Sequence, residues 1–248
     1  MKPEIIASRP GKTIYRKGGQ VVKVFDEKFS KADILNEALN LARVEETRLP
    51  IPKVSEVSKA DGRWAIHYDF IEGVPLSGLM QDDPAKLEEY LNRFVDIQLD
   101  MHTRTVPLLT KLWDKMHRKI DQTQLDEATR YELHTRLASM PKHHKLCHGD
   151  FNPSNIIITP ENQAYILDWS HATQGNASAD AARTYLLFHL QGDIPTAGRY
   201  LELFCEKSGT DKSYVQSWLP IVAASQSVKG KPEEKEFLSR WIHVMDYE

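Results

Sequence analysis

Cysteine is nearly absent: Cys147 and Cys205 are the two in 248 residues. Their number and separation exclude a disulfide framework and a cysteine-based zinc site, and they fit a reducing compartment. Long apolar runs are missing too. No stretch approaches the roughly 18 to 20 uninterrupted apolar residues that a membrane-spanning helix needs, and the opening MKPEIIASRPGK lacks the apolar core of a secretory signal. The expectation is a cytoplasmic protein with no membrane partner. Nor is there an excess of one charge. Lys and Arg number 32 against 35 Asp and Glu, a net charge of -3 without a long basic block, so the composition carries no footprint for nucleic acid. Internal repeats and low-complexity segments are also lacking.

What remains is an ordinary globular composition, 41% hydrophobic and 27% charged, in a chain long enough for one large domain or two lobes. The first seventy or so residues read as strands: EIIAS, TIYRK, VVKVF, KVSEV and WAIHYDF, punctuated by GG and KADG. A helix over about 31 to 48 interrupts them. SKAD supplies Ser30 as N-cap with Asp33 three residues on. Within that helix Glu37 is flanked at helical spacing by Ile34, Leu41 and Val44, which puts a carboxylate at the apolar stripe.

After the turn-rich joint IEGVPLSG the period becomes helical, near 84–103, 107–120 and 124–139, and again near 178–191, 195–208, 211–228 and 232–246. Between these two groups lie two short strands, NIIIT and AYILD, joined by PENQ. The fold expected is α+β: a small antiparallel sheet lobe with one helix over 1–72, then a larger, mainly helical lobe over 73–248 that carries the hairpin.

The hairpin is preceded by CHGDFNPSN, which crowds His148, Asp150, Asn152 and Asn155 against the start of a buried strand, and Asp168 ends the second strand. A short hairpin is a stiff mount, and Asp150, Asn155 and Asp168 would project from one end of it. Three hard oxygen donors of this kind suit Mg²⁺, which is held by one or two carboxylates plus substrate phosphates. His148 fits better as a hydrogen-bonding support of the loop than as a ligand, because magnesium prefers oxygen.

HGDFNPSN followed by ILDW resembles the catalytic loop and metal aspartate of the aminoglycoside phosphotransferase family, the small-molecule branch of the protein-kinase-like fold. The resemblance runs from about residue 5 to about residue 190. It implies ATP and Mg²⁺ as cofactors, Asp150 as catalytic base, and Asn155 and Asp168 as metal ligands. It also implies Lys23, in VVKVF, as the lysine that braces the nucleotide phosphates, with Glu37 as its partner. SRPGKT, with Gly11, Lys12 and Thr13, stands where the phosphate loop belongs, although it has a single glycine. YDFIEG resembles the hinge, whose backbone at Asp69 and Ile71 would meet adenine. Asp180, in ASADAARTY, resembles the helix aspartate that anchors the catalytic loop.

Two departures separate the chain from protein kinases. Gly149 replaces the arginine that pairs with a phosphorylated activation loop, and the eleven residues between Asp168 and Asp180 contain neither D-F-G nor A-P-E. Asn152 stands where lysine or histidine is usual, which puts a γ-phosphate contact there in doubt. The function implied is transfer of the γ-phosphate of ATP to a hydroxyl of a small molecule: an aminoglycoside, a sugar, or an amino alcohol such as choline or homoserine. The alternatives are a nucleotide-binding pseudokinase scaffold and a protein kinase. Trp113, Trp218 and Trp241 would either line an acceptor pocket or pack in the core, and the acidic tail Asp246 and Glu248 would either attract an amine or fray into solvent.

Overall fold

The computed structural model describes residues 4–60 and 62–243. In chain order the strands are β1 (Glu4–Arg9), β2 (Lys12–Lys17), β3 (Gln20–Phe25), β4 (Val54–Ala60), β5 (Arg63–Asp69), β6 (Val74–Pro75), β7 (Lys145–Cys147), β8 (Ile156–Ile158), β9 (Ala164–Ile166) and β10 (Thr173–Gly175). The helices are α1 (Lys31–Glu45), α2 (Leu76–Asp82), α3 (Leu87–His102), α4 (Leu112–Asp121), α5 (Glu127–Ser139), α6 (Ala177–Leu190), α7 (Ile194–Ser208), α8 (Lys212–Gln216), α9 (Leu219–Ser227) and α10 (Lys235–Ile242). Two compact units result: the chain up to Asp83 with Pro153–His171, and Pro84–Asn152 with the residues from Ala172 onward.

In the first unit five antiparallel strands form a sheet in the order β1-β2-β3-β5-β4. β3 lies in the middle and is buried from Val21 to Phe25, as its run of valines requires. Strand alternation sorts its side chains. Val22 and Val24 pack with Ala65 and Tyr15 on one face, whereas Phe25 joins Ile34, Ala38 and Ile66 beneath α1 on the other. Lys23 shares its face with Phe25 and is therefore directed toward α1. That helix starts where the sequence indicates: Ser30 Oγ accepts from the Asp33 amide at 3.1 Å and donates to the Asp33 carboxylate at 2.7 Å.

The β8–β9 hairpin turns at Asn162, whose φ of 64° is left-handed, with the Thr159 amide donating to the Gln163 carbonyl at 2.9 Å. β6 pairs with β8, Val74 opposite Ile158 and Pro75 opposite Ile157. A Cβ on Gly73 would lie 2.4 Å from the Ile158 carbonyl oxygen, so only glycine lets the two strands meet. This pairing shifts the expected division at 72/73. The unit built on the sheet ends at Asp83 and takes in the hairpin, because β6 and α2 are joined to β8 rather than to the helices that follow in sequence.

The second unit is built around α6, which packs against α7, α8 and α9, and around α9, which also packs against α4, α5 and α10. Both central helices are buried nearly all round; α9 is mostly apolar or small, whereas α6 also buries Asp180, Arg183 and Thr184. The expected helix over 211–228 is broken into α8 and α9, with Pro220 in the first turn of the second, where its missing N–H costs nothing. The expected helix over 232–246 begins as a 3₁₀ turn at Pro232–Glu234 and continues as α10; Asp246 and Glu248 lie outside the described residues. β7 pairs with β10, Cys147 opposite Thr173. Both cysteines are free thiols, and Cys147 is buried.

Candidate active site

In the first unit a cluster of charges has formed on the α1 side of β3. Lys23, only 4% exposed, donates to Glu37 Oε1 at 2.5 Å and to Asp168 Oδ1 at 3.4 Å. Burial alone would drive the proton off this lysine, but Asp168 and Glu37 outweigh it and hold its pKa above the ordinary lysine value. Lys12 reaches the second oxygen of Glu37 at 3.3 Å and lies over the rings of Phe25 and Phe29. The Asp168 side chain is the more open of the two carboxylates acting on Lys23, at 38% exposure, and its backbone is left-handed with φ 59°. Such a conformation in a non-glycine residue is held only by its surroundings and clusters at functional positions. Asn155, buried at the start of the hairpin, is tied to the same end, because its carbonyl accepts from the Leu167 amide at 2.8 Å.

In the second unit the loop after β7 is fixed from α6. Asp180, fully buried, accepts from the Gly149 amide at 2.7 Å and the His148 amide at 3.1 Å, and its Oδ2 lies 3.0 Å from His102 Nε2. Burial would raise the pKa of this carboxyl, yet the His102 contact and the backbone donors bring it below the usual aspartate value. Gly149 has φ 78°, a conformation that a side chain would strain. The His148 ring is buried and its Nδ1 accepts from the Asp150 amide at 3.2 Å. Asn152 donates to the Asp150 carbonyl at 2.9 Å, and Thr184 donates to the Phe151 carbonyl at 2.8 Å. The backbone on either side of Asp150 is thus fixed, while its carboxylate keeps 27% exposure.

A profile of the APH group, described as the phosphotransferase enzyme family, matches residues 12–214. The chain belongs to the phosphotransferase enzyme family. Its fold is the α+β, protein-kinase-like fold of solved members. Aminoglycoside phosphotransferase APH(4)-Ia is 15% identical with a TM-score of 0.71, over 97% of this chain and 90% of that one. Choline kinase LicA from Streptococcus pneumoniae is 16% identical with a TM-score of 0.66, over 96% and 87%. Acyl-CoA dehydrogenase family member 10 of Mus musculus is 26% identical over 124 residues, 42% of this chain. The chain spans only 12% of the length of that mouse protein.

Against this phosphotransferase background the residues singled out in sequence fall into place unevenly. Lys23, Glu37 and Asp168 come together in the first unit, where the Asn155 carbonyl accepts from Leu167, the residue before Asp168, and His148, Asp150 and Asp180 come together in the second. Gly11 forms the β1–β2 turn, with φ 76° and its carbonyl accepting from the Asp26 amide at 2.9 Å; Phe29 and Asp26 pack against it. Lys12 and Thr13 begin β2, Thr13 opposite Val24. Asp69 closes β5, its amide donating to the Lys53 carbonyl at 3.1 Å, and Ile71 follows two residues on. Trp113 and Trp218 border a cavity of about 230 Å³ whose lining does not include Asp150, and Trp241 packs on Tyr185 and His189. Sequence reading missed Arg183, which lies one turn beyond Asp180 on α6 and brings Nη2 to 3.8 Å from Asp150 Oδ1. Helical spacing puts Arg183 on the same face as Asp180, but spacing alone does not say which loop that face meets.

Proposed function

We propose that this phosphotransferase moves the γ-phosphate of ATP to a hydroxyl of a small molecule, in the cytoplasm where ATP is consumed. The observation that carries the reading is the buried Lys23 ammonium, shared between Glu37 and the more open Asp168. A buried lysine on a central strand is costly unless its charge is paired, and two carboxylates are spent on pairing this one. Braced by Glu37, it is set to hold the α- and β-phosphates, as kinase-like folds require. The ternary complex of a thermostable APH(4)-Ia mutant with ADP and hygromycin B supports nucleotide and small-molecule binding by this fold.

The donor set fits Mg²⁺: the Asp168 carboxylate and the Asn155 side-chain amide oxygen are hard ligands, and the 2.8 Å bond from Leu167 to Asn155 mounts them at one end of the hairpin. When bound, Mg²⁺ supplies charge neutralisation to the phosphates. Asp150, oriented through the hydrogen bonds of His148 and Asn152 to its backbone, accepts the hydroxyl proton of the acceptor. The acceptor oxygen bonds to the γ-phosphorus as the bond from that phosphorus to the ADP oxygen breaks. Little covalent work is asked of the protein, so rigidity of the loop is its main contribution. Adenine would be met by the Asp69 carbonyl and the Ile71 amide, and the Gly11–Thr13 turn would cover the phosphates.

A peptide acceptor is disfavoured by the segment after Asp168. Residues 169–176 fold as a 3₁₀ turn (Trp169–His171) and β10 before α6 begins, leaving no free activation loop. A scaffold that had lost catalysis would have no reason to retain every one of Lys23, Glu37, Asp150, Asn155 and Asp168 in its sequence. The test is ADP release from Mg-ATP with pooled hydroxyl acceptors. Asp150→Asn is expected to lower turnover by about 10²-fold or more while ATP binding persists; turnover near that of the parent refutes the role given to Asp150.

A further inference from the structure

Two helices of the second unit bring together side chains that the phosphotransfer reading does not use. α4 and α5 pack on each other, and both pack on α9. His117 and Asp121 stand four apart on α4 and so share a face. His134, from the middle of α5, meets the same carboxylate. Asp121 Oδ1 lies 2.9 Å from His134 Nε2, Asp121 Oδ2 lies 3.3 Å from His117 Nδ1, and the two imidazole rings are 4.3 Å apart. One donor atom from each of the three side chains falls within 4.8 Å of the others. His134 is partly enclosed, whereas His117 and Asp121 are about half exposed, so solvent reaches the cluster.

As ion pairs these contacts achieve little. Exposed pairs contribute little to stability, and Asp121 is the last residue of α4, where a negative charge opposes the helix dipole. A divalent cation at the same place meets the favourable end of that dipole and takes all three donors at once. Two imidazole nitrogens and one carboxylate oxygen are the donor set of a three-ligand zinc site, with a fourth position left for water. Imidazole also selects Zn²⁺ and its transition-metal neighbours over Mg²⁺. Tetrahedral Zn²⁺ with bonds of about 2.0 to 2.1 Å holds neighbouring donors about 3.3 to 3.4 Å apart. The 2.9 and 3.3 Å separations are already near that value, and rotation of the half-exposed His117 and Asp121 side chains closes the third. We propose that His117, Asp121 and His134 form a Zn²⁺ site that ties the end of α4 to the middle of α5. It uses none of the residues assigned to ATP, Mg²⁺ or acceptor and stands whether or not the kinase reading holds. Its strength is limited by His134. Metal on Nε2 puts the ring proton on Nδ1, which is buried without a hydrogen-bond partner among the described residues. Such a partner is worth about 10- to 100-fold in metal affinity, so micromolar rather than nanomolar binding is expected.

The test uses the full chain, stripped of metal with a chelator and held in excess Mg²⁺ so that hard-oxygen sites are filled. Zn²⁺ titrated in a calorimeter should bind one per chain with a micromolar Kd, and Co²⁺ in its place should give the visible absorption of a tetrahedral site. With Zn²⁺ 100-fold above Kd the melting temperature should rise by about 5 to 11 °C. His117→Gln and His134→Gln should each weaken Zn²⁺ binding at least tenfold and abolish most of that rise. They lie on different helices, so one remains informative where the other does not fold. His143→Gln, at an exposed position outside the cluster, should bind as the parent does. Zn²⁺ bound equally by the parent and the two cluster variants, binding lost in His143→Gln, or a parent that takes up no Zn²⁺ at submillimolar concentration overturns the proposal.

Discussion

Replacing Glu37 by glutamine tests the charge cluster most directly, because it removes a charge and little else. Lys23 would stay buried, with Lys12 close by, and would keep only Asp168 at 3.4 Å as counter-ion. Removing one partner of a buried ion pair costs about 3 to 5 kcal/mol. The remaining carboxylate and the retained hydrogen-bonding capacity of glutamine reduce this to about 2 to 3 kcal/mol. For a chain of this size each kcal/mol lowers Tm by about 2 to 4 °C, so Glu37→Gln should melt about 4 to 12 °C below the parent in a thermal scan followed by circular dichroism. Lys23→Met provides the contrast. It takes the buried cation away, leaves Glu37 paired with Lys12, and should cost less stability than Glu37→Gln, although it should lower kcat/KM for ATP on the order of 10²-fold. The reasoning is refuted if Lys23→Met melts at or below Glu37→Gln, since the cost was assigned to an uncompensated cation. The charge on Lys23 is fully stabilising below its unfolded pKa, so this difference between the variants should hold at neutral pH and erode only as pH rises beyond the ordinary lysine range.

Asp180→Asn should lower stability by about 2 to 4 kcal/mol, because one oxygen must replace two that now serve His148, Gly149 and His102; a melting point within 1 °C of the parent would contradict that role. The folded pKa of Asp180 lies below its unfolded value, so its contribution is present above about pH 4 and lost as pH falls through the folded value; acid unfolding of Asp180→Asn should accordingly depend less on pH than that of the parent. Lys115 behaves oppositely. Burial, then Arg183, holds its pKa at about 8, below the ordinary lysine value of 10.5, so the unfolded chain binds the extra proton between these values and stability should rise with pH across that interval. Lys115→Met should flatten this rise in urea midpoints measured from pH 7.5 to 10. Gly73→Ala should prevent β6 from pairing with β8, read as accelerated hydrogen exchange at Ile157 and Ile158.

The parts of the fold that carry long periods were legible. β3 announced itself by its valines, α1 by Ser30 and Asp33, and Glu37 by standing among Ile34, Leu41 and Val44. Three-residue strands have no period to read, so β7 and β10 were invisible, as was the two-residue β6 whose pairing decides where the first unit ends. The division of α8 from α9 depends on a proline that a helix tolerates in its first turn, and proline alone does not say whether it opens a helix or interrupts one. Candidate site residues in the HGDFNPSN run were legible because spacing along one loop fixes them. Arg183 was hidden because its partner lies 33 residues earlier in the chain, a relation that only packing of α6 on the loop reveals.

The hairpin that completes the sheet unit is made late. Residues 84–152, a stretch of 69 residues belonging to the other unit, separate β6 and α2 from β8. At about 5 to 20 residues per second a ribosome needs roughly 3 to 14 seconds to cross that stretch. Throughout this interval β6 has been synthesised without its partner, and Lys23 lacks the second of its two carboxylates. The nascent sheet therefore waits with a buried-to-be cation half neutralised, and a chain truncated at Asp83 would retain that condition permanently.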